Sequence, residues 1–292
     1  NHDRAKRTLL HFQAVDQIAD VYLNDVYLGR HEGGYLPFDF DISETMREKE
    51  NKLVVKVIDE LNKDYPYGKQ CKNRGGMWYT PTSGIWQSVW LEQVPGQYIK
   101  ELKITPDLHG IHLEIREEEG MCERAKVAIY LHNGEVLTTD VIDGQDYIDL
   151  RNHRTEDGSV YEPRLWNTKD PYLYRMVVET KEDRVESYFA LRTIEIKGIS
   201  HDNQETACVC LNGEPLFMHG VLDQGYFSDG IYTPAEEEEY ERDVLRMKEL
   251  GFNLLREHIK IEPECFYYYC DKHGMLVMQD MVNNGDYNFV MD

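Results

Sequence analysis

Two short apolar runs near the end of the chain stop at polar side chains of the kinds that bind ligands. Gly251-Phe252-Asn253-Leu254-Leu255 stops at Arg256, with His258 two residues on, and Gly274-Met275-Leu276-Val277-Met278 stops at Gln279-Asp280, with Asn283 close behind. An earlier run at Leu216 to His219 is followed by Asp223. Arginine and carboxylate groups make strong paired hydrogen bonds and shift one another's pKa, so this set suits a polar ligand or the tuning of neighbouring acids.

The elements around them explain why they would meet. Apolar runs this short, bounded by breakers and separated by helical patterns, read as buried parallel strands near Leu216–His219, Phe252–Leu255 and Met275–Met278. Polar groups just past such strands lie where a (β/α)8 barrel builds its sites. The first helix is expected to be capped by Thr233, with Pro234 at its first position and Glu236 completing a capping box. Tyr240, Val244, Met247 and Leu250 would form its buried face, and Gly251 would end it. The second helix opens at Pro263, buries Phe266 with Tyr269 or Cys270, and ends at Gly274. A closed barrel needs roughly 250 residues, far more than follow Gly198, so the chain is either a fragment or carries an open sheet. A start at Asn1 and an end at Asp292 favour a fragment.

Charge narrows the partners. Against 54 Asp and Glu stand 32 Lys and Arg, a net charge of −22, which repels nucleic acid and anionic membrane surfaces. No apolar run reaches the roughly 18 to 20 residues that cross a bilayer. The six cysteines show neither CxxC pairs nor metal-ligand spacing, so they read as reduced thiols in a cytoplasmic setting, with no metal and no cofactor expected. No GxGxxG or Walker loop follows a strand, which counts against a nucleotide binder.

From Arg7 to Pro95 the pattern is β. Asn24-Asp25 between two apolar strands predicts a hairpin, Leu53–Ile58 a strong strand, and Ser83–Glu92 a closing one. The loop from Asp59 to Arg74 is polar, with Lys69, Lys72 and Arg74 near its end. Trp86 and Trp90 are expected in the core, whereas Trp78 and Tyr79, beside Gly75-Gly76, could equally face a ligand. From Gln97 to Lys197 strands are expected at Ile99–Ile104, Ile111–Arg116, Lys126–His132, Glu135–Ile142, Leu173–Thr180 and Ser187–Ile196, as in an immunoglobulin-like sandwich without its disulfide. Glu117-Glu118-Glu119 reads as a solvated loop.

Four stretches together resemble glycoside hydrolase family two, the β-galactosidases, β-glucuronidases and β-mannosidases. They are VYLNDVYLGRHEGGYLPFDFDI at Val21–Ile42, SGIWQSVWLE at Ser83–Glu92, LWNTKDPYLY at Leu165–Tyr174, and LNGEPLFMHGV with GFNLLREH and CDKHGMLVMQDM in the last part. The resemblance implies a jelly-roll sugar-binding domain over residues 1–96, incomplete at its start, and an immunoglobulin-like β-sandwich over 97–198. Over 199–292 it implies the first third of a catalytic (β/α)8 TIM barrel. It also implies a retaining, exo-acting β-glycosidase of β-galactosidase type, acting on a β-linked sugar or oligosaccharide through two glutamates about 5 Å apart, with a homo-oligomer possible. One of those glutamates stands in an Asn-Glu pair, and no such pair follows Ile199. Neither Glu257 nor Glu262 fits the role, so both catalytic glutamates are expected beyond Asp292 and the chain alone is expected to be inactive. The resemblance carries over a sugar-pocket rim of Asp223, Arg256, His258, Asp280 and Asn283, with Arg256 either touching sugar or ion-paired to Asp280 or to an acidic residue missing from this chain. The Arg-to-His spacing is shorter than in the better-known β-galactosidases, and Gly75-Gly76 stands where they carry Asp, which leaves the sugar open. The alternative function is a non-catalytic carbohydrate-binding or assembly module.

Overall fold

The computed structural model describes residues 6–73, 75–201 and 204–285, with side chains at 199–206 left aside. Arg74 therefore lies outside the described residues.

The first β unit holds two three-stranded antiparallel sheets and a short two-stranded one, Val15–Asp16 with Gly84–Ile85. Of the three-stranded sheets, one runs Phe38–Asp41, Arg7–Phe12, Val89–Val94; the other Val26–Glu32, Ile18–Leu23, Leu53–Ile58. Leu10 and Phe12 from the first and Ala19, Val21 and Leu23 from the second share one core, so the alternation of each strand buries one face between the sheets. The predicted hairpin is present. Asn24 and Asp25 have φ of 54° and 68°, the left-handed pair a tight two-residue turn requires, and Leu23 pairs with Val26 across it.

The second β unit packs two four-stranded sheets around one core. Ile111, Leu113 and Ile115 from Gly110–Glu117 meet Val127 and Ile129 from Arg124–Tyr130 and Met176 and Val178 from Tyr174–Glu179. The expected Ser187–Ile196 strand divides instead into Arg184–Phe189 and Ile194–His201. Glu118 does not merely face solvent. It accepts hydrogen bonds from Arg7 at 3.0 Å, Tyr98 at 3.1 Å and Lys100 at 3.0 Å, which ties the two β units together.

The last part holds three parallel strands, Gly220–Asp223, Leu254–Glu257 and Leu276–Gln279, in that spatial order. Helix α1 (Glu238–Glu249) joins the first to the second and α2 (Glu264–His273) the second to the third. Tyr240 and Val244 of α1, Phe266 and Cys270 of α2, and Leu255 of the middle strand form one cluster, so both helices cover the same face of the sheet. Leu222, Arg256 and Met278 are in register on the other face and exposed.

Several local expectations shift. The first parallel strand begins at Gly220 rather than Leu216, because Leu216 N still donates to Val209 O at 2.8 Å beside the preceding antiparallel hairpin. Asn253 then takes the next polar groups, donating to Phe217 O at 2.9 Å and accepting from His219 N at 2.8 Å. The other two strands lie one or two residues later than expected, which places Asp223 and Arg256 inside strands rather than past them. α1 starts at Glu238, with Glu237 as its cap and no side-chain capping bond, so the Thr233 capping box is not formed. Lys260 Nζ donates to Tyr232 O at 2.6 Å, which anchors the chain just before Thr233. Leu250, the residue after the helix, is 67% exposed. α2 follows its signals, with Pro263 as cap and Gly274 left-handed at φ 75°. Trp90 lies on the outside, 40% exposed and stacked on His11 at 4.8 Å, while Trp86 is buried.

Candidate functional site

The C-terminal ends of the three parallel strands bring most of the polar residues singled out from sequence to one place. Arg256 makes a two-point pair with Asp280, Nε to Oδ1 at 3.1 Å and Nη2 to Oδ2 at 3.0 Å, with the guanidinium side chain 51% exposed and the carboxylate 20%. The pairing follows from position: Arg256 points to the open face, and Asp280, whose backbone N donates to Glu257 O at 3.0 Å, stands just past the neighbouring strand. His258 is stitched to the first strand, its N donating to Asp223 O at 2.9 Å. Asp223 turns its own Oδ1 to Gly225 N at 2.8 Å. Asn283 accepts at its backbone O from Tyr67 N at 3.0 Å, and its amide side chain is buried without a hydrogen-bond partner.

Tyr67 belongs to the first β unit, and it is not alone in crossing. Tyr79 OH lies 2.6 Å from His258 Nδ1. Gln87 donates to Ile261 O at 3.0 Å, Tyr226 donates to Thr80 O at 3.3 Å, and Tyr35 and Tyr232 share a hydroxyl contact of 2.7 Å. The loop after Asp59 is thus folded over the strand ends. Gly68 is part of the reason: a side chain there would stand 2.5 Å from the Tyr35 hydroxyl and 3.1 Å from Ile259 O.

Burial sets the electrostatics. His258 is held below its ordinary value first by burial and then by Lys69 and Arg256, with Asp280 pulling the other way, so the ring is neutral at pH 7. Nearby lies a buried charge cluster that the sequence alone does not single out. Lys260 is 1% exposed and Glu262 3%. Nζ lies 2.6 Å from Glu262 Oε1 and donates to Gly225 O and Tyr232 O at 2.6 Å each. Glu257 is fully buried, and neither of its carboxyl oxygens has a hydrogen-bond partner. Burial, joined by Asp223 and Glu262, pushes Glu257 up to about 9, and burial lifts Glu262 to about 7 against the pull of Lys260. At neutral pH Glu257 holds its proton, which makes it unsuited to act as a nucleophilic carboxylate. The Lys-x-Glu spacing after a strand end is the sequence signal for this cluster, but nothing local tells that both side chains turn inward.

Among the described residues no group of three or more His, Cys, Asp or Glu converges as metal ligands. Among the described residues no helix is long and apolar enough to cross a membrane.

Comparison with known proteins matches this architecture to one family. The sequence model described as glycosyl hydrolases family 2, sugar binding domain, matches residues 2–95, and that described as glycosyl hydrolases family 2 matches 97–192. A β-galactosidase of Thermoanaerobacter pseudethanolicus is 26% identical over 95% of this chain and 37% of its own length. A putative β-glucuronidase of Formosa agariphila is 25% identical over 96% of this chain and 33% of its own. The β-D-glucuronidase of Dictyoglomus thermophilum superposes with a TM-score of 0.80 at 18% identity, covering 98% of this chain and 50% of that one. The β-glucuronidase of an uncultured Clostridium species superposes with a TM-score of 0.78 at 25% identity, covering 95% and 46%. The chain spans about a third of the length of these two curated relatives.

Proposed function

Because the chain belongs to the glycosyl hydrolases of family 2, we propose that it forms the leading part of a retaining, exo-acting β-glycosidase of the β-galactosidase kind. Residues 1–96 are the jelly-roll sugar-binding domain, 97–198 the immunoglobulin-like sandwich, and 199–292 the opening of a (β/α)8 catalytic barrel. Support for the barrel is that both helices lie on one face of the parallel sheet while the other face, carrying Leu222, Arg256 and Met278, stays open, as in a barrel whose interior is lined from the opposite side. The rim of the sugar pocket consists of Asp223, Arg256, His258, Asp280 and Asn283. The two catalytic glutamates belong to later strands, and the relatives' greater length leaves room for them.

The observation that carries this reading is the convergence at the strand ends of the Arg256–Asp280 pair and His258 with Tyr79 and Tyr67 from the first β unit. Rim groups of this type hydrogen-bond sugar hydroxyls in pairs and hold neighbouring carboxylates in place. Six free thiols fit a reducing, cytoplasmic address.

The test is an assay of the purified 292-residue chain on nitrophenyl β-galactoside and nitrophenyl β-glucuronide, beside calorimetric titration with galactosides, glucuronides and mannosides. No turnover is expected from this chain. Release of nitrophenol would overturn the placement of both catalytic glutamates on later strands, and sugar binding without turnover by any longer form would favour a carbohydrate-binding module over an enzyme.

A further inference from the structure

Tyr79 reaches His258 across 179 positions of sequence. The phenol oxygen lies 2.6 Å from His258 Nδ1, its ring edge-on to the imidazole at 5.9 Å and 84°. A phenol O–H is a better donor than acceptor and an unprotonated imidazole nitrogen is a strong acceptor, so the phenolic proton points at Nδ1. Burial raises Tyr79 above its ordinary value, so the phenol keeps that proton. A neutral imidazole that accepts at Nδ1 carries its own hydrogen at Nε2. The charged groups facing the ring act on the same balance. Lys69 on the first unit's loop and Arg256 on the middle strand oppose a second proton, whereas Asp280 favours one, and burial outweighs it.

We propose that Tyr79 is a positioning residue that fixes His258 as an Nε2–H donor aimed at a sugar oxygen, so that the first β unit sets the polarity of the pocket rim. The donor role rests on the reading of the strand ends as a sugar pocket, whereas the tautomer does not depend on it. The direction runs from Tyr79 to His258, that is, from the loop of the first unit to the turn after the second parallel strand. A hydroxyl of a β-linked sugar, or its ring oxygen, is the chemistry an Nε2–H would meet.

The experiment is long-range nitrogen–proton correlation NMR on the 292-residue chain labelled at histidine nitrogen, at about pH 7.5, with His258→Gln assigning the resonance. The expected result is a single neutral tautomer bearing hydrogen at Nε2, which Tyr79→Phe turns into a mixture of both tautomers. A wild-type ring that is charged, or that carries hydrogen at Nδ1, would overturn the proposal without recourse to the variant, and so would a folded Tyr79→Phe with an unchanged ring. Saturating phenyl β-galactoside or phenyl β-glucuronide is expected to move the Nε2 resonance. No movement with either sugar would overturn the donor role and the pocket reading together, with the tautomer result left to decide the part played by Tyr79.

Discussion

Lys260 Nζ lies 2.6 Å from Glu262 Oε1, with 2% of one side chain and 1% of the other exposed. The ammonium is also the clasp for two carbonyls, Gly225 O and Tyr232 O, so one side chain joins the turn after the first parallel strand to the segment that leads into α1. Tyr232 packs against it with its ring 4.7 Å from Nζ.

Removing one partner of such a pair leaves an uncompensated buried charge, which costs about 3–5 kcal/mol. Lys260→Met is therefore expected to lower the urea midpoint of the chain steeply, and Lys260→Met with Glu262→Gln to recover part of the loss. Equal midpoints for the single variant and the wild type would show that the pair contributes nothing net.

Glu257 gives the chain a pH dependence of definite sign. An acid held at about 9 in the folded state, against about 4.3 in an unfolded chain, binds more proton when folded throughout that interval. Its contribution to stability is present below the unfolded value and is lost as pH rises toward 9. Glu262, raised to about 7, adds to the same slope over the lower part of the interval. Urea midpoints measured from about pH 6 to about pH 9 are expected to fall in the wild type and to fall less in Glu257→Gln. A wild-type midpoint that rises with pH over that range would contradict the assignment of a protonated Glu257.

Arg256 and Asp280 form a partly exposed pair, and pairs of that kind contribute less than about 1 kcal/mol. Arg256→Ala is thus expected to leave the thermal midpoint nearly unchanged while weakening sugar binding by about tenfold or more, the usual scale for a charged hydrogen-bonding partner. Calorimetry and thermal melting on the same sample separate the two effects. A large loss of stability with unaltered sugar affinity would make Arg256 a structural residue.

Trp166 and Trp90 give a contrast in packing. Trp166 is 1% exposed, donates Nε1–H to Asp271 O at 2.7 Å and lies under the Arg192 guanidinium at 4.5 Å. Replacement by Ala is expected to cost about 3–5 kcal/mol and to loosen α2 from the second β unit. Trp90→Ala, at an exposed face, is expected to cost far less. Denaturant unfolding of the two variants, side by side, checks the order.

Much of the local structure was legible because its causes lie within a few residues. The Asn24-Asp25 turn needs only two side chains that tolerate positive φ between alternating strands, and α2 needs only Pro263 in front and Gly274 behind. The polar residues after each apolar run were visible for the same reason, and Arg256 with Asp280 was one of two pairings the sequence left open. Other features have causes far away in sequence. Thr233 has the right neighbours for a cap, yet α1 starts later, beside a Tyr232 carbonyl held by Lys260. Trp86 and Trp90 share one apolar stretch, and only the packing of the first unit against Tyr232 decides which is buried.

By itself the amino-acid order determined the β-rich character of the first two units, the helix–strand alternation that follows, and the polar groups at its turns, because alternation, caps and turn residues act over one or two turns of chain. Only the tertiary structure decided that Tyr79 meets His258, that Glu118 joins Arg7, and that Lys260, Glu262 and Glu257 turn inward. Those contacts depend on which surfaces are brought together across the whole fold, and burial then sets the charge each group can carry.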